Sequence, residues 1–246
     1  MLFRRIPPAS WSKKLFLAQL PQPSKRGIHV QDQDNIGHNH IVQLGDPVLR
    51  RPVLPLDPSE VGHPIFQALV DRLVATLNKY DCLGLSAPQI GVSAPISVVQ
   101  FTAHQLQNWD KDYVERFGLV EVPLTVLINP EMRVTDAVEV FAREGCASMQ
   151  GFSAVVPRAR EIHVKALNRA GEPFEFGAKN WTARMIQHEL DHLRGKLFLD
   201  RMRPESLVFN HWRIVNKRGG KYTMSYSGPK KRIHAFWNLF NRQETK

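Results

Sequence analysis

Gln187-His188-Glu189-Leu190-Asp191-His192 lies within Trp181–Leu193, a stretch whose apolar spacing predicts a helix. On a helix, side chains four positions apart share one face. His188 and His192 can therefore grip one metal ion, with Glu189 beside them to exchange a proton with a water molecule. This is the pattern of a metal-dependent hydrolase. The continuation His192-Leu193-Arg194-Gly195-Lys196-Leu197-Phe198 puts phenylalanine where proteases built on H-E-x-x-H-x-x-G-x-x-H carry their third histidine. Phenylalanine has no donor atom, so the third ligand comes from elsewhere in the chain.

Cys146 is the best candidate. It sits in Glu144-Gly145-Cys146-Ala147-Ser148, just after the alternating, strand-like run Val138-Glu139-Val140-Phe141. A thiolate with two imidazoles is a recognised catalytic donor set for zinc or ferrous iron that leaves a coordination position open. Asp200 and Glu205 are acidic alternatives, and Asp200 follows Gly195, where the helix is expected to end. The other cysteine is Cys82. A Cys82–Cys146 disulfide would consume the ligand, and two cysteines without a secretory signature point to a reducing compartment.

Three separated segments resemble the motifs of peptide deformylases. Cys82-Leu83-Gly84-Leu85-Ser86-Ala87-Pro88-Gln89 is similar to a Gly-φ-Gly-φ-Ala-Ala-x-Gln motif. Glu144–Ser148 resembles Glu-Gly-Cys-x-Ser, and Gln187–His192 resembles Gln-His-Glu-x-Asp-His. They stand in the family's order, and the resemblance runs from about Ile41 to about Met202. The chain departs from the pattern at Cys82, Ser86 and Ala147, and carries Trp181 and Arg184 where aliphatics are expected near a methionine pocket. These changes resemble an organellar branch of the family.

The resemblance implies removal of the formyl group from the formyl-methionine at the start of new polypeptides. Cys146, His188 and His192 would hold one divalent ion, Fe2+ or Zn2+, and Glu189 would carry the proton. The Gln89 side-chain amide and the Ala147 backbone N–H would face the oxyanion. Gly84, Glu144, Gly145, Trp181 and Met185 are the candidate substrate-binding residues, with Glu144 and Asp191 also able to orient a ligand. An endopeptidase is disfavoured by Phe198. A non-catalytic RNA-binding factor has no need of Glu189.

The chain has 246 residues and a formal charge of +10, unevenly distributed. Residues 1–31 carry six Lys/Arg and no acid, and residues 213–246 carry nine against Glu244 alone. The ends thus hold +6 and +8, which leaves −4 on the body within the total of +10. Residues 1–31 read as a mitochondrial targeting peptide, placing the protein in the matrix. Residues 40–212 form the expected catalytic domain. Residues 213–246 form a basic tail in which Lys217-Arg218-Gly219-Gly220-Lys221 and Lys230-Lys231-Arg232, with Phe236, Trp237 and Phe240, suit contact with the mitochondrial ribosome. No apolar run approaches membrane-spanning length.

A helix is expected over Pro64–Lys79, from Ile65, Leu69, Leu73 and Leu77, and another from Pro204 through Ile214. Strands are expected at Ile96–Phe101, Leu124–Asn129, Val138–Ala142, Ile162–Leu167 and Phe174–Phe176, with Asn168–Gly171 turning between the last two. Residues 102–123 read as an irregular excursion with a short helix. The fold class is α+β and peptide-deformylase-like, with antiparallel strands around a central metal-binding helix.

Overall fold

The computed structural model describes residues 36–228. The segment read as a targeting peptide and the Lys230-Lys231-Arg232 cluster with its aromatics lie outside these residues. Helix α1 (Pro64–Tyr80) opens on Pro64 behind a His63 cap and ends where Asp81 turns to φ 53°. Its Phe66, Leu69, Val70, Leu73 and Leu77 repeat at helical spacing and are buried. They pack on strands β1 (Gly84–Ser86) and β2 (Ile96–Phe101) to make one core cluster.

All strand pairings are antiparallel, in the order β1-β2-β3-β4-β5. Strand β3 (Val122–Gly145) absorbs both of the strands expected at Leu124–Asn129 and Val138–Ala142. It stays one strand by bending at three register shifts along its ladder with β4 (Phe152–Leu167). The first falls at Asn129-Pro130, where proline has no N–H to offer the ladder and Asn129 adopts φ 49°. Strand β5 (Pro173–Lys179) returns from β4 through the expected turn, with Gly171 at φ 83° and the Asn168 carboxamide accepting from Ala170 and Glu172 N–H groups.

Residues 102–123 are more ordered than expected. A Thr102–Gln105 capping box starts α2 (Ala103–Leu106), and Asp110 caps α3 (Lys111–Phe117). Trp109, Tyr113 and Phe117 then converge on Trp181, with ring centroids 5.3, 5.7 and 6.2 Å from it.

Trp181 begins the inner face of α4 (Asn180–Leu193), the helix carrying both histidines. Eleven of its fourteen residues are buried, so it is enclosed rather than laid on a surface. It touches each of β1 through β5. The helix expected over Pro204–Ile214 is instead a 3-10 turn (Pro204–Ser206), a two-residue strand β6 (Val208–Phe209) and helix α5 (Trp212–Lys217). The break has a physical cause. Phe209 and Val208 pair with Phe152 and Ser153 of β4, Asn210 N–H donates to the Gly151 carbonyl, and backbone committed to a sheet cannot continue a helix. Among the described residues no helix is long and apolar enough to cross a membrane.

Leu73 is wholly buried between α1 and the sheet, and Val134 is 47% exposed on β3. Leu73→Ala is expected to lower the unfolding free energy by about 3 kcal/mol. Val134→Ala should change it by less than about 0.5 kcal/mol. Urea titration of both variants checks the placement of the core.

Candidate metal centre and active site

Cys146 lies one residue past the end of β3 in extended backbone, and His188 and His192 project from one face of α4. Their donor atoms all fall within 4.8 Å of one another. Cys146 Sγ and His192 Nε2 are 3.4 Å apart. His188 Nδ1 is 3.0 Å from Glu144 Oε2, which leaves its Nε2 for the cluster. Burial, with the nearby His188 and Arg158, pushes the His192 pKa well down, so that ring stays neutral and keeps its lone pair. Burial alone would discharge His188 too, but hydrogen bonds and negative charge from Cys146 and Glu144 outweigh it and favour a cation at this spot. A soft thiolate and two imidazoles converging in a field that favours positive charge fit a divalent transition metal. Both cysteines are free of disulfides, and Asp200 is instead engaged by Arg50 and by the Leu197 N–H.

Glu144 is engaged within the protein. Its oxygens are taken by Arg158 (two bonds of 2.9 Å), Arg184 (2.6 Å) and His188. Arg158 continues to Asp191 at 2.5 Å, and Arg201 closes on Asp191 with bonds of 2.6 and 2.8 Å. Burial would raise both carboxyls, yet the arginines hold Glu144 well below the usual carboxylate range and lower Asp191 as well. Arg184, which the sequence placed near a substrate pocket, spends its guanidinium on Glu144 and on the Val140 and Val156 carbonyls. Trp181 and Met185 belong to the core cluster behind the helix, at 5% and 6% exposure, and offer a substrate little surface.

Glu189 is buried, and desolvation lifts its carboxyl to about 7, a rise that His188 and a hydrogen bond from Ser86 only partly offset. Gly84 serves this side chain: a Cβ there would lie 2.4 Å from Glu189 Oε1. Gln89 is fixed at both ends, its Oε1 accepting from Ser86 N–H at 2.9 Å and its Nε2 lying 3.6 Å from Cys146 Sγ and 3.3 Å from Ser148 Oγ. The amide nitrogen therefore faces the cluster of three donors. Ala147 follows the cysteine, its carbonyl held by Gln43 Nε2 at 3.0 Å, and Gly145 pairs with Ser153 at the end of β3.

Sequence reasoning missed Arg158, Arg201, Gln43 and Ser97. Arg158 had a signal. It shares the inward parity of Ala154 and Val156 on β4, and a charge there demands a buried partner. Arg201 and Gln43 act through contacts 10 and 104 residues distant in sequence and carry no local mark.

This set of groups, one thiolate, two imidazoles, a carboxyl poised near neutrality and an aimed amide, defines a metal-dependent hydrolase. The polypeptide deformylase family model matches residues 38–207. The mitochondrial peptide deformylase of Homo sapiens is 37% identical over 178 residues, covering 72% of this chain and 73% of that protein. The chloroplastic/mitochondrial peptide deformylase 1A of Arabidopsis thaliana is 35% identical over 166 residues, covering 68% of this chain and 62% of its own length. The crystal structure of peptide deformylase from Thermotoga maritima aligns with a TM-score of 0.55 at 32% identity, covering 68% of this chain and 99% of that one. The Met-Ala-Ser-bound peptide deformylase of Acinetobacter baumannii aligns with a TM-score of 0.58 at 28% identity, covering 66% of this chain and 96% of that one. The chain belongs to the polypeptide deformylase family, and it removes the N-formyl group from nascent peptides.

Arg158→Met is expected to leave two buried carboxylates short of positive charge. Stability should fall by about 3 kcal/mol. Metal affinity should fall by about ten-fold, because Glu144 no longer holds His188 in one orientation. Denaturant unfolding and metal content after dialysis report the two effects separately.

Proposed function

We propose that Cys146, His188 and His192 hold one divalent ion, Fe2+ or Zn2+, and that Glu189, Gln89 and Ala147 carry out amide hydrolysis beside it. The observation that carries this reading is the convergence of the three donors next to a buried carboxyl whose pKa stands at about 7. An ion held there supplies Lewis acidity, which polarises a carbonyl oxygen and acidifies water. Glu189 takes the proton from the attacking water and gives it to the departing methionine nitrogen, and desolvation, which raises the proton affinity of its carboxyl, favours its holding the proton between the two transfers. The Gln89 amide N–H, aimed by its bond from Ser86 N–H, and the Ala147 backbone N–H stabilise the negative charge that develops on the formyl oxygen as water adds to the formyl carbon. The products are formate and a free amino terminus.

The physiological substrates are formyl-methionyl chains made inside an organelle. The acid-free basic stretch at residues 1–31 and the mitochondrial and chloroplastic names of the relatives support that location, and for this chain the mitochondrial matrix. The basic tail supports contact with ribosomal RNA: Arg213, Lys217, Arg218 and Lys221 are exposed on and just after α5, and residues 206–228 contain no acid.

Formate release from formyl-Met-Ala-Ser, measured together with metal content, tests the assignment. Cys146→Ala should lose the metal. Glu189→Ala should keep the metal while kcat falls by at least about 100-fold. Full metal occupancy in Cys146→Ala would remove the ligand assignment.

A further inference from the structure

The first motif departs from the family pattern at Ser86, where alanine is expected, and the hydroxyl this adds is engaged in the interior. Ser86 is wholly buried, and its Oγ lies 2.7 Å from Glu189 Oε2, 3.0 Å from the Glu189 carbonyl and 2.8 Å from Ser97 Oγ. Ser97, also wholly buried, is the direct cross-strand partner of Ser86 in the β1–β2 ladder. A hydroxyl has one proton to donate. The shorter contact, and the one to an ionisable group, is with the carboxylate, so the Ser86 proton goes to Oε2 and Ser97 donates to Ser86 from behind. Gly84 stands two residues before Ser86 on the same face of β1, and its bare Cα makes room for Glu189 Oε1. One strand thus meets both oxygens of a single carboxylate, by a missing side chain at one and a hydroxyl at the other.

We infer that Ser86, braced by Ser97, is a positioning residue for Glu189: it fixes the carboxylate through Oε2 and leaves Oε1 as the oxygen that exchanges the proton with water and the leaving amine. The terminal torsion of a carboxylate has a broad minimum, which by itself leaves it freedom to turn. The Ser86 bond removes that freedom. Neither serine hydroxyl hydrogen-bonds the side chain of Cys146, His188 or His192, so the hydroxyl acts on turnover and not on metal retention or substrate affinity. The inference rests on Glu189 being the proton carrier, and the test separates the two.

Steady-state kinetics of formate release from formyl-Met-Ala-Ser, with metal content, are measured for Ser86→Ala, Ser97→Ala, the double variant, Ser86→Thr and Glu189→Gln. Ser86→Ala should keep its metal, keep KM within about two-fold and lose about ten-fold in kcat, the effect of one hydrogen bond to a charged group. Ser97→Ala should lose less, about three-fold, and the double variant should be no slower than Ser86→Ala, because Ser97 acts only through Ser86. Ser86→Thr, which restores the hydroxyl, should recover most of kcat. If that variant does not fold, the non-additivity of the two alanine variants decides. A Ser86→Ala enzyme within about two-fold of the parent kcat, or losses at the two serines that simply multiply, would overturn the positioning role. Glu189→Gln reports on the reading beneath it. If that variant still turns over normally, the proton-carrier assignment fails. If it is inactive while Ser86→Ala is fully active, only the role of Ser86 fails.

Discussion

Glu144 sits in the interior between Arg158, Arg184 and His188, and the placement of the site depends on that carboxylate. It leaves β3 just before Cys146, while its partners come from β4 and from α4. One side chain therefore ties the strand that presents the thiolate to the helix that presents the imidazoles. Asp191 repeats the arrangement from the helix side, binding Arg158 of β4 and Arg201 beyond the helix. Buried charges contribute little net stability, since the desolvation they cost about cancels their attraction. What they supply here is geometry. A pair that is expensive to break has few alternative arrangements, and the donor atoms of Cys146, His188 and His192 inherit that restriction.

The same economy of conformations operates at Glu189. Burial makes its charge costly, which lifts the carboxyl toward neutrality, and the surrounding groups determine how far. Strand β1 and the turn after it contribute through residue choice alone: glycine at one position, serine two residues on, glutamine within the turn. The 3-10 turn that follows Ser86 lets Gln89 fold back on the Ser86 N–H, so that one short segment orients both the carboxyl and the amide.

Much of this was legible in the sequence, and for an identifiable reason. His188, Glu189 and His192 are local to one helix, and helical spacing converts their order directly into geometry. Cys146 required a second inference, because strand and helix meet only in three dimensions. The cross-links escaped. Arg158 and Arg201 look like surface residues on charge alone, and only the parity of β4 marks Arg158 as inward. Trp181 and Arg184 stand where the resemblance expects aliphatics near a methionine pocket, yet the aromatic cluster of α3 takes one and Glu144 takes the other. The expected helix over Pro204–Ile214 failed for a related reason. Residues 208–210 had a tertiary hydrogen-bonding opportunity on β4 that local propensity does not register.

Cys146 and His192 are 46 positions apart in the chain, and between them lie a 3-10 turn, β4, β5, their connecting turn and most of α4. A chain in the course of folding can form α4 early, since helices need only neighbours. Two histidines on such a helix have no thiolate opposite them until the strands have paired in register and the helix has been enclosed. Tight capture of an ion by these donors would thus be a late event, and the ion would then act as a latch on the completed topology, favouring it over every partly assembled state that lacks one of the three donors.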